Sequence, residues 1–157
     1  MALVRSALRL TRSSGVLAQC SRSMADMPLT FAAPSQVFYN QQDVRQVDVP
    51  SFSGNFGILP NHVPVLAVLQ PGVVSVVEAD GSTNKYFVSS GSVTVNKDST
   101  VQVLAEEAVP LSDLDAAACR QALTQAQADL ASATGDQERV EAQIAVEVSE
   151  ALVKACE

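Results

Sequence analysis

Ser92 to Ala105 reads S-V-T-V-N-K-D-S-T-V-Q-V-L-A. Val93 and Val95 alternate with polar residues, and Val101 and Val103 do the same after Lys97-Asp98. Side chains on a strand point to opposite faces in turn, so this alternation predicts strands with one buried and one wet face. A turn at Lys97-Asp98 then joins Ser92–Asn96 to Thr100–Ala105 as a hairpin.

Working upstream, the same signal recurs. Leu29–Ala32 and Ser35–Tyr39 flank Ala33-Pro34, and Asp43–Val49 stops at Pro50. Val65–Leu69 runs up to Pro71-Gly72, Val73–Glu78 is rich in β-branched residues, and Lys85–Ser89 follows the turn at Asp80–Thr83. Short strands with turns every eight to twelve residues or so predict a β-sandwich or barrel. Downstream the composition changes. Every proline lies at or before Pro110 and every aromatic at or before Phe87, and beyond Ser112 there is neither.

That second part reads as two helices. Ser112 serves as an N-cap, with Asp113 and Asp115 in the first turn, where acids favour the helix dipole. The first helix runs to Ala131, Thr134-Gly135-Asp136 breaks it, and Thr134 or Asp136 caps a second helix ending at Ala155. Val140, Ile144, Val148 and Leu152 form one apolar stripe, and Cys119, Leu123, Ala126 and Leu130 a matching one. A short connection makes the helices antiparallel. The expected fold class is therefore α+β, a β-sandwich over residues 27–109 followed by an antiparallel two-helix hairpin over 112–157. The hairpin seam is mostly small side chains, so it is marginal alone and leans on the sandwich or on a partner.

The first 25 residues differ from both parts. They contain Arg5, Arg9, Arg12 and Arg22, five serines and no acid, with Leu3, Val4, Ala7 and Leu8 on another helical face. An Arg- and Ser-rich, acid-poor amphipathic start is the pattern of a mitochondrial transit peptide, against the blander reading of a disordered basic arm. Four of the ten basic residues and none of the seventeen acids lie there, so the rest carries six basic residues against seventeen acids, a formal charge of −11. That balance argues against nucleic-acid binding and against docking on anionic lipid. No apolar run approaches the ~20 residues of a membrane span. With Cys20 in the presequence, Cys119 and Cys156 remain. A hairpin turning at Gly135 sets Cys119 opposite residue 151, about 7–8 Å from the level of Cys156, which predicts two separate structural thiols.

Gly54 to Pro64, G-N-F-G-I-L-P-N-H-V-P, holds two glycines, two prolines and the chain's only histidine. Glycine allows positive φ and proline fixes φ, so the segment reads as a shaped turn offering a contact surface. It is not a phosphate loop, since no G-x-x-x-x-G-K-[ST] occurs. His62 is the one histidine available as a base, no G-x-S-x-G accompanies it, and a structural or interface role fits it better. Glu106-Glu107 are neighbours on a strand and face opposite ways, so they do not form an acid–base pair. Neither catalytic residues nor a metal or cofactor site is expected.

The order of elements, with G-N-F-G-I-L-P-N-H-V-P followed by V-L-A-V-L-Q-P-G, V-S-S-G-S-V-T-V-N and V-Q-V-L-A-E-E-A, resembles the delta subunits of mitochondrial F-type ATP synthases. Bacterial and chloroplast members of that family are called epsilon. The resemblance runs from Pro28 to Ala155. It implies a non-catalytic rotor subunit in the central stalk, peripheral on the matrix side of the mitochondrial inner membrane. The implied partners are the gamma subunit, the ring of c subunits and a small mitochondrial epsilon subunit. It implies that Gly54, Asn55 and Phe56 face the c ring and that His62 lies near gamma. Read from the residues alone, Ile58 turns to the sandwich core, and Phe56 suits the core or an interface equally. Some bacterial relatives bind ATP through a hydrophobic residue, Asp, two variable positions and Arg-Ala. Leu114-Asp115 fits that pattern, but Ala118 stands at the arginine position and Cys119 at the alanine. Without the guanidinium the phosphate lacks its bidentate partner, so no nucleotide binding is expected. The alternatives are an unrelated matrix β-sandwich adaptor and, behind it, a small hydrolase using His62.

Overall fold

The alternating valines settle the sandwich. Gly91–Val95 (β7) and Val101–Ala105 (β8) pair antiparallel, Val93 opposite Val103 and Val95 opposite Val101, and all four are buried. A computed structural model describes residues 27–156. The transit peptide expected over residues 1–25 lies outside them. The remaining strands are Pro28–Ala33 (β1), Gln36–Ser51 (β2), Gly54–Ile58 (β3), Val65–Leu69 (β4), Gly72–Glu78 (β5), Thr83–Val88 (β6) and Ala108–Pro110 (β9). Helices Ala116–Ser132 (α1) and Asp136–Ala155 (α2) follow.

Hydrogen-bonded neighbours run β1-β8-β7-β4-β2-β5-β6-β9, with β3 also on β2 and β1 closing onto β2. The long β2 makes this possible. Its first part pairs with β1, Tyr39 opposite Phe31, and its second with β3 and β5, Val47 opposite both Ile58 and Val76. The sequence splits this strand at Asn40–Gln42. The structure instead keeps one strand, with an irregular register against β1 and Gln41 at φ 51°. A bulge with one left-handed residue bends a strand without ending it, so β2 can serve both halves of the sandwich. Met27, Leu29, Phe31, Val47, Ile58, Val74, Val76 and Val88 fill the interior between them.

Two sequence expectations need correction. The first half of the Gly54–Pro64 segment is strand β3, and only the rest turns, closed by the His62 amide donating to the Leu59 carbonyl at 3.1 Å. Its glycines are tolerated because β2 supplies the ladder. The cap of α1 is Asp115, whose carboxylate accepts from the Ala117 amide at 2.8 Å, while Ser112 sits in a short 3-10 turn over Leu111–Asp113.

The hairpin register also departs from a simple fold-back. Ala133 and Gly135 are extended, at ψ 123° and 148°. An extended residue advances the chain about 3.3 Å, against about 1.5 Å for a helical one, so this connection carries the start of α2 past the end of α1. This overhang brings Cys156 level with Cys119, their Sγ atoms 3.7 Å apart, where the sequence sets Cys119 opposite residue 151. It also leaves the early α2 stripe unpartnered: Val140 and Ile144 are 58% and 55% exposed. On α1 the expected stripe is the inner face, Cys119 and Ala126 buried and Leu123 and Leu130 half-buried. On α2 the later half of the expected stripe, Val148 and Leu152, is half-buried, as are Ala142, Val146, Ala151, Val153, Ala155 and Cys156 around buried Ser149. Buried Ser149 is satisfied by donating to the Ala145 carbonyl at 2.7 Å. α2 rests on β5, and its residues Ala151, Lys154 and Ala155 share a cleft with Pro50, Asn55 and Gly72.

Candidate interface at the β2–β3 tip

β2 and β3 are joined by Phe52-Ser53. The tip is held by Ser51, buried at 2%, whose hydroxyl donates to the Gly54 carbonyl at 2.7 Å and lies 3.0 Å from the Ser53 hydroxyl. Gly54 has φ +118°, a conformation that glycine adopts at little cost. This fixed turn projects Phe52 outward, 81% exposed. The Phe52 amide donates to the Val68 carbonyl at 3.1 Å, which ties the tip to β4.

The four residues singled out in sequence come together here. Asn55 stands opposite Pro50 and Phe56 opposite Val49 in the β2–β3 ladder. Phe56 is half-buried against the core, and its ring lies 6.2 Å from that of His62, tilted by 32°. His62 donates through Nδ1 to the Val63 carbonyl at 2.8 Å. Its loop is fastened to the β7–β8 turn by the Asn61 amide donating to the Ser99 hydroxyl at 3.2 Å. Gly54, Asn55, Phe56 and His62 line one open groove of about 400 Å³ with Val65, Leu66 and Ala67. Ile58 is fully buried, as expected for a core position.

A second feature was missed in sequence. β4 reads V-L-A-V-L, and its outward residues Leu66 and Val68 are 74% and 65% exposed. Val68 pairs with Ser92, which pairs with Leu104, so exposed Leu104 stands on the same outer face. With Phe52 beside Leu66 and Val68, this makes an apolar surface next to the groove. A grouped apolar surface marks an interaction site, whereas single exposed apolar residues do not. The available signal was the lack of alternation in β4, a strand apolar on both faces.

The shifted titrations lie elsewhere. Burial, reinforced by the hydrogen bond with Tyr86, pushes the Tyr39 hydroxyl well above the ordinary tyrosine value. Tyr39 donates to Glu78 at 3.0 Å and accepts from Asn84 at 2.9 Å, a polar cluster around the Phe31–Phe38–Tyr86 aromatics. Asp80 and Asp98 are held below the carboxylate range by the hydroxyls and amides of Ser82 and Thr100 in their own turns. Among the described residues no three His, Cys, Asp or Glu side chains gather as metal ligands. The tip offers shape, an apolar surface and stiffness.

Comparison with known proteins agrees across both parts. Residues 26–111 match the family described as ATP synthase, Delta/Epsilon chain, beta-sandwich domain, and residues 114–155 the Metazoan delta subunit of F1F0-ATP synthase, C-terminal domain. The mitochondrial ATP synthase subunit delta of Caenorhabditis elegans is 47% identical over 131 residues, covering 83% of this chain and 79% of that one. That of Neurospora crassa is 38% identical over 156 residues, covering 96% and 94%. Among solved structures, a chain of the Euglena gracilis mitochondrial ATP synthase OSCP/F1/c-ring assembly superposes with a TM-score of 0.77 at 25% identity, covering 98% of this chain and 91% of that one. The sandwich, the hairpin and the glycine-held tip thus belong to a chain of the ATP synthase delta/epsilon family, in its mitochondrial delta branch.

Proposed function

We propose that the chain is a non-catalytic central-stalk subunit of the mitochondrial F-type ATP synthase, which turns with the c ring and helps couple proton-driven rotation to ATP synthesis. The observation that carries this reading is the likeness of both domains, in one chain, to a component of an F1/c-ring assembly. The unrelated adaptor reading has no comparable support. No helix of the described residues is long and apolar enough to cross a membrane, which fits a peripheral position on the matrix side of the inner membrane.

Within that role, Gly54, Asn55 and Phe56 meet the c-ring loops and His62 meets gamma. Torque passes without slip only through a stiff contact, and the tip has Ser51 clamping it beneath and two hydrogen-bonded loop anchors. Because Phe56 and His62 line the same groove, the two contacts share a wall. Full burial of a large apolar side chain contributes about 1.5–3 kcal/mol, and Phe52, Leu66 and Val68 are still largely exposed to gain it. The overhanging Val140 and Ile144 of α2 offer a place for the small epsilon subunit.

Photo-crosslinking from Asn55 and from His62 in intact mitochondria tests the assignment. The expected capture is a c subunit from Asn55 and gamma from His62. Capture of no ATP synthase subunit from either position would return the chain to the adaptor reading.

A further inference from the structure

We propose that Cys119 and Cys156 are a redox-sensitive staple: oxidation joins them in one intramolecular disulfide that locks the hairpin closed. Both cysteines are free, and their Sγ atoms are 3.7 Å apart across residues that lie 37 positions from each other in sequence. Cys119 is in the first turn of α1, and Cys156 is the C-cap of α2 at φ −86° and ψ −8°. A disulfide needs the sulfurs at about 2.05 Å, so they must approach by under 2 Å or so. Cys156 stands just past the last regular residue of α2, where a small backbone adjustment breaks no interior helical turn.

Burial sets the order of events. Cys119 is 7% exposed and Cys156 half-buried. Burial first, then the neighbouring Cys156 and the charge of Asp115, push the Cys119 thiol up. The more accessible Cys156 therefore reacts first. With a low-molecular-weight disulfide as oxidant, Cys156 gives its proton to solvent and its thiolate attacks one oxidant sulfur, expelling the other as a thiolate. Cys119 then loses its proton and attacks the Cys156 sulfur, expelling the second oxidant thiolate. Two protein thiols are oxidised and one small disulfide is reduced to two thiols, which take up the two protons.

The consequence follows from the thin seam. Small residues such as Ala126, Ala142 and Ser149 bury little apolar area, so the seam itself holds the helices weakly, and the end opposite their connection is kept in place by α2 resting on β5. The chain already joins the helices at Ala133–Gly135, and the staple closes the opposite end.

The test uses the full chain carrying Cys20→Ser, incubated with oxidised glutathione, alkylated and mapped by mass spectrometry. The expected product is a monomer with no free thiol and no retained glutathione, its Cys119 and Cys156 peptides linked until a dithiol reductant is added. Hydrogen exchange of α1 and α2 should slow by ~100-fold on oxidation. With Cys119→Ala added, Cys156 should stop at a mixed disulfide carrying one glutathionyl group. Two alkylated thiols after oxidant, two separately glutathionylated cysteines, a disulfide-linked dimer, or a staple that leaves exchange unchanged would each overturn the proposal. The readout on the unaltered cysteine pair stands even if Cys119→Ala fails to fold.

Discussion

Replacing Gly91 with alanine separates steric fit from backbone preference in the sandwich. Gly91 begins β7, opposite Leu69 of β4 and Ala105 of β8, at φ +154°. A Cβ there would sit 2.2 Å from the Leu104 carbonyl oxygen and 2.8 Å from the Ala105 Cα, both backbone atoms that cannot swing aside. The strained conformation costs about 1–3 kcal/mol and forced overpacking about another 1–3. Gly54, at φ +118°, has nothing within 4 Å of its Cβ position, so Gly54→Ala bears only the first cost. Gly91→Ala should therefore lose about 2–6 kcal/mol, a large share of a total of about 5–15, and clearly more than Gly54→Ala. The consequence reaches the interface, because Leu69 anchors the strand that carries Leu66 and Val68. Urea unfolding followed by tyrosine fluorescence is the assay. The chain has no tryptophan and only two tyrosines, Tyr39 and Tyr86, both in the sandwich, so the signal reports that domain. Gly91→Ala within about 1 kcal/mol of Gly54→Ala would refute the steric account.

Three further outcomes follow from the same geometry. Asp115→Ala removes the carboxylate that caps α1 and should cost about 1 kcal/mol, seen as lost helical circular dichroism at temperatures where the sandwich stays folded. Tyr39 must release its proton at higher pH folded than unfolded, so its contribution is complete below about pH 10 and declines as pH rises beyond it. Urea midpoints from pH 8 to 11 should fall steeply at the alkaline end, and Tyr39→Phe should flatten that fall. Isothermal titration of the isolated protein with ATP should show no binding at millimolar concentration, and restoring Ala118→Arg tests whether the missing guanidinium is the reason.

The strand periodicity carried most of the fold, because β7 and β8 alternate cleanly and each face has one environment. The β3 strand was hidden because Gly54, Asn55 and Gly57 are poor strand formers, and only the ladder to β2 makes them one. The continuity of β2 was hidden because a single left-handed residue, Gln41, looks like an interruption in sequence yet acts as a hinge in the sheet. The hairpin stripes gave the correct face of α1 but misplaced the register, since backbone extension at Ala133 and Gly135 is not encoded by apolar periodicity. Of the candidate site, Gly54, Asn55, Phe56 and His62 were legible as a constrained segment. Phe52 was not, because an aromatic beside a glycine turn reads equally as core or surface until the tip is built.

The central claim is mechanical, that the chain transmits rotation and performs no reaction of its own. Mitochondria depleted of it, supplied with a proton gradient and ADP, test this most directly. The expected result is loss of gradient-driven ATP synthesis, restored by the intact chain and not by one carrying Phe52→Asp and Leu66→Asp. Full synthesis in its absence would contradict the account.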